Sequence, residues 1–184
     1  MNQEGAWSDL DLHEQLPSGL RIRIGPLLAE HAEELRRAYE DRTSDHTKLW
    51  RFLAPTPTLT EWHLRHLVDT VDGVDHVAFL AWTDDDPSAL IGSAHLIRYK
   101  DSPTDADAAV TVADAWQGQG VATALLRLLL SSRPAGVTRL VTSVYTSNVA
   151  SIRLLKRTGP TQFSRPEHGV TEATTDIPQT GPPG

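Results

Sequence analysis

Asp107-Ala-Ala-Val-Thr-Val-Ala-Asp-Ala-Trp-Gln-Gly-Gln-Gly-Val-Ala122 is the stretch that decides the fold. Val110, Thr111 and Val112 are β-branched and read as a short strand, while Val121 to Leu130 is almost wholly apolar and rich in helix formers. Between them lies a Gly-rich turn, so the local reading is strand, turn, helix. Such a turn gathers consecutive backbone N–H groups at a helix N-terminus, where the helix dipole adds partial positive charge. A phosphate is the ligand this favours. Gly118 and Gly120 let a diphosphate approach backbone that a Cβ would shield, and Gln117 offers a side-chain donor. The same turn also serves as a purely structural link in many proteins, so its meaning depends on the rest of the chain.

The 184 residues suffice for one well-buried domain, and no break in composition calls for two. Cysteine is absent, which removes disulfides, thiolate-bound metals and a thiol nucleophile. His63 and His66 are a helical i, i+3 pair without supporting carboxylates; a half-solvated helix face is expected there, and no metal site is expected elsewhere. A net charge of −7 argues against general nucleic-acid binding and suits a cationic partner such as an amine. No apolar run reaches the length of a bilayer span and the N-terminus lacks a signal-peptide pattern, so a cytoplasmic protein without membrane partners is expected.

Residues 1–19 read as a polar N-terminal extension with at most one short helix, 20–178 as the domain, and 179–184 as a disordered Pro/Gly tail. Leu20 to Ile24 alternates as a half-buried strand, and helices are expected from Leu27 to Asp41 and from Ser44 to Phe52. Thr58-Leu-Thr-Glu61 has capping-box spacing and opens a helix with Leu64, Leu67, Val68 and Val71 on its apolar face. His76 to Thr83 and Ala89 to Tyr99 read as antiparallel strands around the solvated turn Asp84-Asp-Asp-Pro87, followed by a polar loop from Lys100 to Thr104. After the long apolar helix, Thr138 to Thr146 is a strand that the βαβ spacing sets parallel to the one at Val110. Asn148 to Arg157 is a helix closed by Gly159-Pro160, and Gln162 to Ser164 with Val170 to Asp176 forms a closing hairpin.

In this order the residues resemble the GNAT superfamily of acyl-CoA-dependent N-acyltransferases. Gln117-Gly-Gln-Gly120-Val-Ala122 has the form of that family's pyrophosphate loop, and Asn148 opens a helix ending in Gly159, as in its second motif. Trp50-Arg51-Phe52-Leu53, Asp75-His76-Val77-Ala78 and Ala113-Asp-Ala-Trp-Gln-Gly-Gln-Gly120 are similar to the acetyltransferase domain of bacterial protein-lysine acetyltransferases of the Pat type. The resemblance implies an α/β (α+β) fold: a mixed, mostly antiparallel sheet splayed at its centre, with helices on both faces. It also implies acetyl-CoA as co-substrate and a primary amine, a protein lysine or a small molecule, as acceptor, with direct attack in a ternary complex.

Carried onto this chain, the resemblance gives the backbone of Val110 and Val112 to the pantetheine arm. The N–H groups of Gly118, Gln119, Gly120, Val121 and Ala122 go to the pyrophosphate, with Gln117 and the Thr123 hydroxyl as added donors. Asp107 stands where Pat-type domains place a Glu as general base; being one methylene shorter, it implies a bridging water, against the alternative of an ordinary strand-edge carboxylate. Leu155 occupies the position of a Tyr that in many members protonates the departing thiolate. Asn148 either holds pantetheine or thiolate or simply caps its helix, and both roles are compatible. Tyr145 is a further candidate acid, set against simple packing on its strand. The acceptor site is expected between Arg42 to Leu53 and the hairpin near His168, with Trp50 and Phe52 packing either on substrate or in the core. His76 and His95 are expected to be hydrogen-bonded structural residues. The rival reading is a non-catalytic acyl-CoA-binding domain; a nucleotide site is disfavoured because the turn lacks the Lys and Ser/Thr of a phosphate-binding NTPase loop. Oligomeric state leaves no mark in the sequence.

Overall fold

In the computed structural model, which describes residues 7–178, the strands are β1 (Leu12–Gln15), β2 (Arg21–Pro26), β3 (His76–Thr83), β4 (Leu90–Tyr99), β5 (Ser102–Val112), β6 (Arg139–Tyr145), β7 (Thr161–Phe163) and β8 (Val170–Asp176). The helices are α1 (Ala32–Arg42), α2 (Asp45–Phe52), α3 (Glu61–Leu64), α4 (Val121–Ser131) and α5 (Val149–Thr158). Among the described residues the strands form one sheet in the order β1-β2-β3-β4-β5-β6-β8-β7, antiparallel throughout except for β5 and β6. The expected tail at 179–184 lies outside the described residues. No helix among them is long and apolar enough to cross a membrane.

β3 is buried at every position, so it needs cover on both faces of the sheet. Val77, Phe79 and Ala81 pack with Ile22, Ile24 and Ile91 under α4, whose Leu125 and Leu129 are fully buried. Each such leucine contributes roughly 1.5–3 kcal/mol relative to an exposed one. Ala78, Leu80 and Trp82 point the other way and meet Leu35 and Tyr39 of α1 and Leu64 of α3. Helices on both faces, as expected, are the result.

The parallel pairing of β5 with β6 is registered only at Asp105–Arg139 and Ala106–Leu140. Arg139 donates to both Asp105 oxygens, from Nε at 2.7 Å and from Nη2 at 2.9 Å, and Ser102 and Thr104 hydroxyls donate to the same carboxylate. The Arg139 hydrogen bonds are the main reason that the Asp105 carboxyl lies below its ordinary value. Beyond this clamp the strands diverge, and Asp107 to Thr111 are half-exposed in the middle of the sheet.

Three local readings change. The N-terminal extension carries a strand, β1, where at most a helix was expected; Leu12 registers with Ile24, and Leu16 is in the core. Its alternation in Leu-His-Glu-Gln is too short to stand out. Lys100 to Thr104 is not a loop: a tight reversal pairs Tyr99 with Ser102, and β5 starts there because Arg139 neutralises Asp105. The helix that begins at Glu61 is capped by Thr60 with His63 three residues on, rather than by Thr58 with Glu61. After one turn it widens into a π-helical turn at Arg65–Asp69.

Candidate active site

The turn between β5 and α4 holds Gly118 at φ 73° and Gly120 at φ 102°, conformations that side chains with a Cβ rarely adopt. A Cβ on Gly118 would meet no atom within 4 Å, so the demand there is conformational and the space in front of the loop is open. Gly120 rests on Leu16 and Pro17, and Ser18 Oγ donates to Gln119 O at 2.9 Å; the segment before β2 therefore braces the loop from behind. No side chain caps α4. Among the described residues, no well-formed hydrogen bond uses the N–H groups of Gly118 to Thr123. Thr123 is exposed on the first turn, beside them.

The strand before this turn has an equally open edge. Ala113 N donates to Ile91 O at 2.8 Å, and Thr111 and Ala109 register with Ser93 and His95. Because successive peptides of a strand point to opposite edges, Ala108, Val110 and Val112 face away from β4 into the splay. Thr142 Oγ1 donates to Ala108 O at 3.3 Å and Gln117 Nε2 to Val112 O at 3.1 Å, which marks that edge. Val110 lies between them, with no strand registered opposite. Two expected contributors are thus placed differently: Gln117 turns its amide back on Val112, Asp114 and Thr47 instead of forward to a phosphate, and the Val112 carbonyl is covered by it.

On the α1–α3 face of the same strand, Asp107 lines a pocket of about 220 Å³. Arg51 and Phe52 of α2, Trp62 and His63 of α3, and His95 of β4 line it too. Phe52 meets the His63 ring edge-on at 5.4 Å, and Trp62, 58 % exposed at the rim, lies against His66 at 4.0 Å. Burial pulls the Arg51 guanidinium below its ordinary value, and the charge of Asp107 opposes that. His95 and His76 are both buried and linked Nδ1 to Nε2 at 3.1 Å. Burial is the main cause that lowers both; Arg51 lowers both further, and Asp72 opposes it at His76.

The remaining expected residues lie around these two features. Asn148 is buried and its Oδ1 accepts from Ser151 N at 3.1 Å, so it caps α5. Leu155 is in the core. Tyr145 OH donates to Leu53 O at 3.5 Å, joining the open end of β6 to the end of α2. Trp50 packs against His46 at 3.9 Å, outside the pocket, whereas Phe52 is in its wall. His168 is exposed in the hairpin turn and does not line the pocket.

A family model described as acetyltransferase (GNAT) domain matches residues 21–161. The chain belongs to the GNAT acetyltransferase family. Membership supports an acyl-CoA-dependent N-acetyltransferase domain, and acetyl-CoA as co-substrate fits the family. It is 30% identical over 117 residues to acetyltransferase Pat of Mycolicibacterium smegmatis, an alignment spanning 62% of this chain and 35% of that protein. The chain thus accounts for about a third of that relative's length. The crystal structure of the GNAT domain of S. lividans PAT superposes with a TM-score of 0.81 at 28% identity, over 96% of this chain and all of that one. A putative acetyltransferase from Salmonella typhimurium, solved with its cofactor acetyl-CoA, shares the GNAT fold at a TM-score of 0.62 and 16% identity, over 89% of this chain and 98% of that one. Arg51 lies in the segment expected to bound the acceptor site; the pocket residues given no such place by the sequence are Trp62, His63 and His95. The register of β4 against β5 is the signal that places His95 beside Asp107.

Proposed function

We propose that this GNAT domain transfers the acetyl group of acetyl-CoA to a primary amine, with a protein lysine as the acceptor, by direct attack in a ternary complex. One observation carries the reading: β5 has an open backbone edge at Val110 leading to the free N–H groups of Gly118 to Thr123, and on its other face Asp107 in a pocket. The pyrophosphate rests on the N–H groups of Gly118 to Ala122 with the Thr123 hydroxyl, and the pantetheine amides run along Val110, so that the thioester reaches the strand opposite Asp107. The likeness to Pat-type domains supports lysine. So does the pocket, whose Phe52 and Trp62 suit an aliphatic stem and whose Asp107 suits its ammonium.

An unperturbed lysine, with a pKa of about 10.4, must lose a proton before it attacks. Asp107 takes it through a bridging water. Leu155 offers no acid, so CoA departs as thiolate, tolerable for a thiol whose pKa is about 8.5. Asn148, whose Oδ1 is engaged in the cap, retains an amide N–H₂ that can steady the pantetheine or the thiolate.

The test is CoA-thiol release from acetyl-CoA with lysine peptides and small amines, for the wild type and Asp107→Asn. Acceptor-dependent release that falls by about 10²-fold in the variant is expected. Equal release by both proteins would remove Asp107 from its role. Tight acetyl-CoA binding with no release for any acceptor would make this a binding domain instead.

A further inference from the structure

The two buried histidines behind the pocket are joined to the surface by a chain whose hydrogen positions follow from geometry. Thr70 has one hydroxyl hydrogen, which it donates to His66 O at 2.7 Å. Toward His76 Nδ1, 2.9 Å away, it can therefore only accept, so His76 Nδ1 bears a hydrogen. His76 is neutral, because burial lowers its pKa, and its Nε2 is then a bare acceptor. His95 Nδ1, 3.1 Å away, must be the donor. Burial keeps His95 neutral as well, so its Nε2 carries no hydrogen. Among the described residues the His95 ring hydrogen-bonds through Nδ1 alone, and His95 lines the pocket. A bare ring nitrogen thus stands at one end of the chain, and the exposed Thr70 hydroxyl at the other.

We propose that His95 is a catalytic base that takes the proton shed by the attacking amine, and that His76 and Thr70 conduct it to solvent. This rests on the acetyl-transfer reading above. His95 is registered opposite Ala109, which makes Asp107 its diagonal neighbour on the same face, at a spacing of about 7–8 Å that an amine between them fills. Acetylating an ammonium removes two protons from nitrogen. Asp107 receives the first through water. As the N–C bond forms and the C–S bond breaks with its electron pair on sulfur, the second passes to His95 Nε2. The Nδ1 hydrogen of His95 moves to His76 Nε2 and that of His76 Nδ1 moves to Thr70 Oγ1, whose own hydrogen leaves the His66 carbonyl for water. Asp107 holds the first proton and water takes the second, so the amide, the thiolate and two protons balance the ammonium and the thioester.

The surrounding charges favour this direction. Arg51, His63 and His66 face the pocket beside Asp107, and Arg51 disfavours a cation on His95. Asp72, which lies by His76, favours one there. The proton is thus drawn away from the pocket.

The first test needs no turnover: nitrogen–proton correlation spectra of histidine-labelled wild-type protein. Both His76 and His95 are expected as the Nδ1–H tautomer, the less common form of free imidazole. A His95 in the Nε2–H form would overturn the relay. The second uses His95→Asn, which keeps an amide donor toward His76 and lacks the Nε2 acceptor. Its kcat is expected to fall by about 10²-fold, with the acetyl-CoA KM unchanged and the wild-type acidic limb, placed below the usual histidine range, lost from the kcat–pH profile. Thr70→Val, an exposed isosteric change, reads the surface leg should the first variant not fold, with a fall in kcat of about tenfold expected. Unchanged kcat in a folded His95→Asn or in Thr70→Val would overturn the conduit. A wild type that turns over no amine would defeat the acetyl-transfer reading instead, while the tautomers still decide the wire.

Discussion

The two sides of β5 are built from different materials. Toward β6 the strand offers backbone: the peptide of Val110 and, past its end, the N–H groups of the glycine turn. Toward α2 and α3 it offers side chains, Asp107 among Arg51, Phe52, Trp62 and His95. A backbone site depends on where side chains are missing, and all its parts lie within about twenty residues. The pocket is assembled from four elements spread between α2 and β5. Substitutions on one side should therefore change the use of acetyl-CoA, and those on the other the use of the amine.

The largest expected effect tests the backbone side. Gly120→Val forces a Cβ onto φ 102°, strain of about 1–3 kcal/mol, and disturbs the N–H groups that follow. Acetyl-CoA affinity, measured by calorimetric titration, is expected to fall by about 10²-fold or more. A matching loss of acceptor affinity would break the division between the sides. Trp62→Ala probes the other side: the acceptor KM should rise by less than about tenfold, with acetyl-CoA KM and thermal midpoint unchanged because Trp62 is 58 % exposed. Asp107→Glu restores the missing methylene and sharpens the role of the bridging water. If the water makes up for reach, kcat should rise by about two- to fivefold, and a fall would show that the shorter carboxylate is the better fit.

The smallest effect concerns the clamp that closes the sheet where the two sides meet. Asp105 has a lowered carboxyl pKa, so its contribution to stability is complete above the unfolded value of about 3.9 and is lost as pH falls through the lower folded one. Asp105→Asn should be less stable than wild type by about 1 kcal/mol at neutral pH, with the gap closing below about pH 4. A gap that held constant in acid would mean that the carboxylate's charge plays no part.

Legibility in the sequence divides along the same line. Gly118 and Gly120 announced the loop because only glycine suits those dihedrals and because a strand and a helix flank them directly. The parallel set of β6 followed from the βαβ spacing before Arg139, the splay from the family resemblance, and the cap at Asn148 from its position. The pocket was harder to see. His63 and His66 read as a half-solvated face, and His63 is half-buried and His66 exposed; what helix periodicity does not show is that this face borders the pocket. His76 and His95 read as hydrogen-bonded structural residues, and they are buried and bonded to each other; that His95 also lines the pocket depends on a sheet register that composition does not reveal. Gln117 was aimed at a phosphate because nothing local shows that Val112, Asp114 and Thr47 converge on its amide. β1 escaped notice for want of length.

Asp114 accepts from Ser44 N at 3.0 Å, from Thr47 Oγ1 at 2.7 Å and from Gln117 Nε2 at 3.1 Å. Its burial opposes ionisation, but those donors outweigh the penalty and hold the carboxyl below its ordinary value. One anion thus fastens the start of α2, the helix that brings Arg51 and Phe52, to the loop that precedes α4. The energies of mutations at the two ends of that knot will not add. A double-mutant cycle between Thr47→Val and Gln117→Ala should return an interaction energy of about 0.5–3 kcal/mol, whereas the same cycle between Trp62→Ala and Gly118→Ala, which share no partner, should close near zero.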